Sequence, residues 1–321
     1  IFEDLEGGFL SKVRSFKRAM KQLEIKIEEY KPDIIHAHDL EVLDVAVNVK
    51  RITNAKVIFD SHEDWPNMEI VQNWFIGKYY ERKQKKLIGT VDAVLTVSDE
   101  LAIRLGGGTV LYNSEPLEVV QQPVENHRFG LDGIVAGYIG ALRKPILEEI
   151  IDSASKVNAL SLLIVGGPPK GRGGYNEMIE DLERIAEEKG ANAKFTGPLP
   201  YSMMNECYAA CDILIVGHYV HRNLRDYAFP KKLLDAMGYK VPAIVGPYDA
   251  RKKIVERYNC GLVSEEWTDT LTTLSNDKEL RKKMGENGFK AFKMNYAWEL
   301  QEKKLLKVYK NLLEGEAGDG K

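Results

Sequence analysis

The feature that most constrains this chain is an alternation between short β-branched runs and longer segments with helical periodicity. Strands that alternate with helices pair in parallel, and helices cover both faces of the resulting sheet. Four runs precede residue 116, namely DIIHAH (33–38), KVIFD (56–60), AVLTVS (93–98) and TVLYN (109–113). Six follow residue 130, namely IVAGYIG (134–140), SLLIVGG (161–167), AKFTG (193–197), DILIVG (212–217), PAIVG (242–246) and GLVS (261–264). The sequence therefore predicts an α/β protein with two doubly wound domains.

The boundary between the two domains is predicted in a segment that has two prolines and no sustained period. The chain also opens on an acidic stretch and a helix over 11–30 rather than on a strand, so we expect the first domain to be incomplete or reduced. The predicted organisation is an N-terminal domain (1–115), a linker (116–130), a C-terminal domain (131–294), a helix that packs back towards the N-terminal domain (295–313) and a disordered tail (314–321).

Composition excludes several classes of protein. With 44% hydrophobic residues, 29% charged residues and a net charge of −3, the chain has the balance of a globular protein, and no bulk charge indicates nucleic acid as a partner. No apolar run approaches the roughly 20 residues needed to span a bilayer, and no signal peptide is apparent. The three cysteines, Cys207, Cys211 and Cys260, suggest no disulfide framework. We expect a cytoplasmic protein with buried, inert cysteines.

Ligands of doubly wound sheets bind at the carboxyl ends of the strands, so the loops after the strands are the first place to look. The glycine-rich loop over 166–174 matches neither the dinucleotide fingerprint nor the P-loop, and it is interpreted as a strand-to-helix connection. A later segment is more informative. Pro230 suits the first turn of a helix whose free N–H groups favour a phosphate, and Lys231 and Lys232 add positive charge.

Several motifs resemble those of retaining GT-B glycosyltransferases of the group 1 and family 4-like type. The segment PKKLLDAM (230–237), followed by Pro242, is similar to the P-N-K-L-F-E-x-M-A-x-G-x-P-V motif of that family. The further matching segments are YIGALRK (138–144), FTGPLP (195–200), YAACD (208–212), DIIHAHD (33–39), DSHE (60–63) and VS (97–98). The resemblance implies two Rossmann-like domains that face each other across a cleft.

The resemblance also implies a function. The expected reaction moves a sugar from a UDP- or GDP-sugar donor to a glycan, a lipid-linked acceptor or a small molecule, with retention and without a cofactor or metal. In this family the histidine matched by His62 lies at the acceptor side and contacts the transferring sugar, so it is the implied catalytic residue. The donor-binding positions implied by the resemblance are Gly140, Arg143, Lys144, Pro198, Leu199, Lys232 and Asp235.

The implied donor-binding positions other than Gly140 each have an expected role. Arg143, Lys144 and Lys232 would neutralise the donor diphosphate as charge develops on the leaving group. Asp235 would accept hydrogen bonds from the ribose hydroxyls. Residues 198 and 199 would line the pocket for the base.

A departure from the family pattern and a set of candidate carboxylates keep two other functions open. Tyr227 stands where the better-known form of the motif has its first glutamate, which leaves a non-catalytic nucleotide-sugar-binding subunit as an alternative. A nucleotide-sugar 2-epimerase on the same fold would need acid and base carboxylates, for which Asp39, Glu63 and Asp226 are candidates. An NAD-dependent oxidoreductase is disfavoured, because neither domain has the dinucleotide fingerprint after its first strand.

Two further features have a structural and a functional interpretation. His36, His38 and Asp39 resemble a metal-binding sequence, and strand alternation places both imidazoles on one face, but no further ligand cluster is apparent and no Asp-x-Asp occurs. The prediction is a hydrogen-bonded edge without a metal. The basic helix over 11–30 and the basic run over 78–86 are predicted as solvated faces, with peripheral contact to anionic lipid at the inner membrane face as the alternative.

Overall fold

The computed structural model of the protein describes residues 9–68, 73–124, 128–167, 175–217, 231–247 and 249–315. Within these ranges the chain forms two compact units. The first comprises the described residues of 9–112 and 301–315, and the second those of 113–217 and 231–300. The segment over 116–130, predicted as a linker, groups with the second unit, and Tyr227 and Pro230 lie outside the described residues.

Both units are built from parallel strands and helices. The described strands are β1 (Ile34–His38), β2 (Lys56–Ser61), β3 (Ala93–Thr96), β4 (Thr109–Val110), β5 (Ile134–Ile139), β6 (Leu160–Val165), β7 (Asn192–Gly197), β8 (Ile213–Gly217), β9 (Ala243–Val245) and β10 (Gly261–Val263). The described helices are α1 (Phe9–Tyr30), α2 (Leu40–Thr53), α3 (Trp74–Ile88), α4 (Asp99–Leu105), α5 (Leu117–Val120), α6 (Lys144–Ala154), α7 (Tyr175–Lys189), α8 (Met204–Ala209), α9 (Lys231–Gly238), α10 (Asp249–Tyr258), α11 (Trp267–Asn276), α12 (Lys278–Ala291) and α13 (Trp298–Glu314). All ten predicted strands are confirmed.

The first unit has a four-stranded parallel sheet in the order β1-β2-β3-β4. Leu40, Leu43 and Val47 of α2 are fully or almost fully buried, and their helical spacing directs one stripe of that helix into the core. Helix α4 begins after Ser98, whose hydroxyl accepts a hydrogen bond from Leu101 N at 3.1 Å. Such an N-cap contributes about 1 kcal/mol and fixes where the chain turns after β3.

The C-terminal helix α13 contributes to the core of the first unit. Its apolar side chains pack on Ile58, Leu95 and Leu111 of the sheet region. The contributing residues of the helix are Leu305, Val308, Tyr309 and Leu312. Because of this packing, Tyr309 of α13 lies beside the polar side chains of β1.

The second unit has a six-stranded parallel sheet in the order β10-β9-β8-β5-β6-β7. This is the order of a dinucleotide-binding fold, and its direction reverses between β5 and β8. Strands β6 and β8 are buried at every position, as expected for a sheet covered on both faces. Ligands of such sheets bind beside the switch point, so the loops that follow β5 and β8 form the candidate binding region.

Candidate functional site

Two glycines shape the end of β5 in the second unit. Gly140 has a φ of +124°, and a Cβ on it would lie 2.8 Å from Lys232 Cε and 3.2 Å from Lys232 Nζ. Gly166, which follows β6, has a φ of +131°, and a Cβ on it would lie 2.0 Å from the carbonyl oxygen of Gly140. Only glycine suits both positions, because the backbone conformation is left-handed and the neighbouring atoms are in contact. The two loops thus pack closely and leave room for the lysine.

Lys232 lies among other positive charges. Its ammonium lies 4.1 Å from the ring centroid of Tyr138, a cation–π contact. Desolvation, together with the positive charges of Arg143 and Arg251, lowers the pKa of Lys232 to about 7, and Asp235 opposes the shift. We call Arg143, Lys232 and Arg251 the cationic cluster. An anion bound here would relieve the repulsion between these groups.

Asp235 is buried, and its carboxylate already forms polar contacts with two side chains. It is 3% exposed, its Oδ1 lies 2.7 Å from Lys231 Nζ, and its Oδ2 accepts a hydrogen bond from the Tyr208 hydroxyl at 2.7 Å. Burial raises the pKa of Asp235, and Lys231 and Tyr208 oppose that shift. Lys231 also pairs with Glu115, at 2.5 Å. The ribose contact implied for Asp235 stays a prediction, and in this structure its carboxylate anchors the first turn of α9.

Arg143 and Lys144 differ in their surroundings. Lys144 begins α6 and is ion-paired with Asp181 of α7, and its Nζ lies 3.7 Å from Glu148 Oε1. The hydrogen bond to Asp181 is the main reason that the pKa of Lys144 is raised. Arg143 immediately precedes the helix, and its charge acts on Lys232. The structure therefore brings Gly140, Arg143 and Lys232 together and directs Lys144 towards α7.

The residues implied for the base pocket follow the outermost strand of the same sheet. Pro198 and Leu199 follow β7, which is two strands away from β5 and therefore about 10 Å across the sheet. Pro198 is exposed and Leu199 is half-buried. Since all six strands are parallel, this turn and Gly140 both lie at the carboxyl ends of the strands. Their contact with a base stays a prediction.

A second polar cluster lies at the carboxyl ends of β1 and β2 in the first unit. Asp60 Oδ2 lies 3.1 Å from His36 Nε2, 3.5 Å from His38 Nδ1 and 3.6 Å from His62 Nε2. Burial alone would raise the pKa of Asp60, but its hydrogen bonds with His36 and His62 lower it far below its usual range. The same contact with Asp60 raises the pKa of His62. His38 behaves oppositely, because desolvation lowers its pKa.

Two other groups fix this histidine cluster. Asp39 has a φ of 63°, and its Oδ1 accepts a hydrogen bond from the backbone N–H of His62 at 3.0 Å. His36 Nδ1 lies 2.6 Å from the hydroxyl of Tyr309, which the last helix supplies. The sequence contains the histidines, Asp39 and Tyr309 at distant positions. Their contacts with one another depend on the fold and could not be predicted from any one segment.

The sequence prediction that His36 and His38 have no further ligand cluster nearby is wrong. Asp60 and His62 lie on the same face of the neighbouring strand and its extension, and the parallel register pairs His38 with Asp60. Their spacing of two residues repeats that of the two histidines on β1. This repeat was a usable signal, but it required the register of β1 and β2 to be known.

Comparison with known proteins places the chain in a family. Residues 124–291, slightly more than half of the chain, match Glycosyl transferases group 1, and residues 5–128 match Glycosyltransferase Family 4. The protein therefore belongs to the group 1 glycosyl transferases. An uncharacterized glycosyltransferase of Methanocaldococcus jannaschii is 28% identical over 191 residues, which are 58% of this chain and 42% of that protein.

A second curated relative is D-inositol 3-phosphate glycosyltransferase of Corynebacterium glutamicum. It is 26% identical over 168 residues, which are 50% of this chain and 38% of that protein. The chain thus spans about two fifths of the length of the curated relatives it matches.

Solved structures of low sequence identity share the fold. Sucrose-phosphate synthase from Thermosynechococcus elongatus superposes with a TM-score of 0.78 at 17% identity, over 94% of this chain and 79% of that one. HepE of Anabaena in complex with UDP superposes with a TM-score of 0.73 at 16% identity, over 92% and 82%. The predicted GT-B fold, with two parallel-sheet domains, is confirmed.

Proposed function

We propose that this protein is a glycosyltransferase that moves a sugar from a UDP- or GDP-sugar to a glycan, lipid-linked or small-molecule acceptor. The observation that carries the proposal is the cationic cluster at the switch point of the second sheet. Three cationic side chains next to a glycine loop suit a diphosphate, which is the leaving group of such a donor. The Anabaena HepE structures of the same fold contain UDP or UDP-glucose, which supports the donor class.

The proposed mechanism needs no metal at the diphosphate. Arg143 and Lys232 stabilise the negative charge that develops as the bond between the anomeric carbon and the phosphate oxygen breaks. The free N–H groups at the start of α6 add to this stabilisation. The acceptor hydroxyl forms the new bond to the anomeric carbon, and a donor phosphate oxygen takes its proton. Retention is inferred from the motif over 230–237.

The remaining site residues have proposed supporting roles. Gly140 lets the diphosphate approach the backbone, and Lys144 adds charge near the start of α6. Pro198 and Leu199 contact the base, Asp235 accepts from the ribose while it anchors α9, and His62 hydrogen-bonds the transferring sugar. We propose a cytoplasmic location for this chemistry, where nucleotide sugars serve as donors.

Isothermal titration of UDP, GDP, ADP and NAD in EDTA tests the donor assignment. Selective binding of UDP or GDP is expected, and Arg143→Ala should weaken it about tenfold to 100-fold because a charge-assisted contact to phosphate is lost. Lys144→Ala should have a smaller effect, because Asp181 already holds that ammonium. If no nucleoside diphosphate binds, or if both variants bind as the wild type does, the donor site is wrong and a non-catalytic role or a 2-epimerase becomes preferable.

We also propose that α3 contacts an anionic membrane surface. The first residues of this helix include Trp74, Phe75 and Tyr79, which are 67%, 76% and 62% exposed. Beyond them Arg82, Lys85 and Lys86 are exposed, whereas Lys78 and Lys83 are paired with Glu81 and Asp44. Exposed aromatic residues followed by basic ones are typical of helices that lie in a membrane interface. No helix of the described residues has the length and apolarity required to span a bilayer.

The double variant Trp74→Ser/Phe75→Ser should weaken binding to vesicles that contain phosphatidylglycerol by about tenfold or more, since two large apolar side chains no longer insert. Co-sedimentation with these vesicles and with pure phosphatidylcholine vesicles measures the effect. Met294→Ser is the matched control, because Met294 is 66% exposed in the second unit. Equal binding of the wild type and the double variant would refute this contact.

A further inference from the structure

A cavity of about 500 Å³ lies between α3 and α4 in the first unit. Its walls come from the second half of α3, the end of α4 and the loop that follows β2. The lining shares no residue with the cationic cluster or with the histidine cluster at the ends of β1 and β2. A volume of this size is typical of pockets that bind small molecules, so the cavity is a candidate for a second binding site.

The lining of this cavity carries more positive than negative charge. Arg82, Lys85 and Arg104 contribute three cations, and Glu81 contributes one carboxylate. Arg104 is engaged, because its Nη2 lies 3.1 Å from Glu81 Oε1 and its Nε lies 3.4 Å from Asp64 Oδ2. Arg82 and Lys85 are exposed, and neither has an ion-pair partner within the ranges that the structure describes. Two cations are therefore available to an anionic ligand.

A buried amide faces the same cavity. Gln84 is 6% exposed and belongs to the lining. Among the described residues, its Oε1 has no hydrogen-bond partner. Leaving a buried acceptor without a donor is unfavourable, and most such groups in proteins have a partner. A ligand that brings a hydroxyl group to Gln84 would supply the missing donor.

The rest of the lining is largely apolar and adjoins an exposed aromatic stripe. The apolar side chains are those of Pro66, Ile88, Ile103 and Leu105. Ile103 is 80% exposed, so an apolar surface extends from the cavity towards solvent. On α3, Phe75, Tyr79 and Arg82 follow one another at helical spacing and share one stripe of the helix. A ligand with an anionic group and a carbon chain fits this combination.

We propose that this cavity binds a phosphate ester that carries a free hydroxyl group. Arg82 and Lys85 pair with the phosphate, the hydroxyl donates to Gln84 Oε1, and the apolar wall contacts the carbon chain. Two sources supply this chemistry, namely the headgroup of an anionic glycerophospholipid and a soluble polyol phosphate. The site goes beyond the proposed function, since it requires neither a nucleotide sugar nor the insertion of α3 into a membrane.

Isothermal titration of the full chain with two probes tests the site and separates the sources. The probes are glycerol 1-phosphate and dihexanoyl phosphatidylglycerol, the latter added below its micelle concentration. One molecule per chain is expected to bind. Tighter binding of the lipid would identify the headgroup as the source, and equal or weaker binding would identify the soluble ester. If neither probe binds, the proposal is overturned.

Variants of the two cations locate the binding in this cavity. Arg82→Gln and Lys85→Gln should each weaken binding by about tenfold or more, because each removes a charge-assisted contact. Arg51→Gln, at an exposed arginine of α2 that does not line the cavity, is the matched control and should bind normally. Both tested side chains are exposed, so their variants should fold. Affinity that survives the double variant Arg82→Gln/Lys85→Gln would refute the proposal.

A comparison of two esters tests the role of Gln84. Methyl phosphate has no hydroxyl on its carbon and should bind about tenfold more weakly than glycerol 1-phosphate, the effect of one hydrogen bond. Gln84→Met should remove this preference and leave binding of methyl phosphate unchanged. A purely structural role of Gln84 would instead weaken the binding of both esters equally.

Two variants keep this test independent of the proposed function. Lys232→Met removes a charge from the cationic cluster, and Trp74→Ser/Phe75→Ser removes the proposed membrane contact. Both should bind glycerol 1-phosphate as the wild type does, because neither changes the lining of the cavity. If Lys232→Met abolished this binding, the ester would occupy the cationic cluster and the cavity would be excluded as its site.

Discussion

Lys232→Met should weaken binding of UDP or GDP by roughly 30-fold to several thousandfold. Removing one member of a buried charge contact costs about 2–5 kcal/mol, and each 1.4 kcal/mol corresponds to a factor of ten. Methionine keeps an apolar chain as far as Cε, so the close approach to Gly140 can persist, whereas the cation–π contact with Tyr138 is lost together with the charge. Isothermal titration at neutral pH measures the loss.

The folding of this variant separates the binding role of Lys232 from a structural one. The cationic cluster repels itself in the absence of an anion, so removing one charge should leave the unfolding midpoint of the ligand-free protein unchanged or raise it. Lys194→Met, an exposed lysine on the edge strand β7, is the matched control and should bind nucleotide normally. A midpoint that falls along with the affinity would show that Lys232 acts mainly through packing.

The pH dependence follows from the same lysine. In the free protein its pKa is about 7, well below the ordinary lysine value of 10.5. A bound diphosphate favours the ammonium and raises this pKa, so the complex holds more protons than the free protein above pH 7, and affinity should fall as pH rises. Stability of the free protein should change in the other sense. Between about pH 7 and 10.5 unfolding takes up a proton at Lys232, so the free energy of unfolding gains a contribution that rises with pH.

Calorimetric titrations in buffers of different ionisation enthalpy measure the number of protons that the protein takes up when the nucleotide binds. Between about pH 8 and 9, where the diphosphate itself is fully ionised, UDP binding to the wild type should take up a fraction of a proton. Lys232→Met should remove this uptake and flatten the pH dependence of affinity. Proton uptake that persists in the variant would assign the titration to another group.

The architecture was predictable because its signals are local. The strand β6 is an uninterrupted apolar run, and such runs alternating with helices fix a parallel sheet. Once the sheet order has a switch point, the residues after β5 and the helix after β8 must lie near each other. Gly140, Arg143 and Lys232 therefore came together as the motifs implied, although they are far apart in the chain.

The partners of individual side chains were not predictable, because they depend on contacts between distant elements. Lys144 pairs with Asp181 on another helix, and Asp235 is enclosed by Tyr208 and Lys231, so neither carries its charge freely. Arg251 reaches the cationic cluster from α10, and no motif indicates it. A one-residue change of register between two strands would change every such pair, and the sequence alone does not fix register.

Gly166→Ala should strongly destabilise the second unit, because it combines a backbone clash with an unfavourable backbone conformation. Its Cβ would lie 2.0 Å from the carbonyl oxygen of Gly140, and a φ of +131° is a conformation that side chains rarely adopt. The Gly140 oxygen is a backbone atom, and the position of a Cβ is fixed by the backbone of residue 166, so the clash cannot be relieved by a rotamer change. We expect a loss of about 3–5 kcal/mol in the free energy of unfolding and no measurable nucleotide binding, because Gly140 and the Arg143 loop must move.

Gly190→Ala isolates the contribution of the backbone conformation. Gly190 also has a positive φ, of +69°, but no atom lies within 4 Å of the position of its Cβ. Its substitution should therefore cost only about 1–2 kcal/mol and leave nucleotide affinity intact. Urea unfolding measures the loss of stability in each variant, and UDP titration measures the loss of affinity. The difference between the two variants gives the effect of the clash beyond that of the backbone conformation. If Gly166→Ala were no more destabilised than Gly190→Ala and still bound UDP, the close packing of the β5 and β6 loops would not be what shapes the donor site.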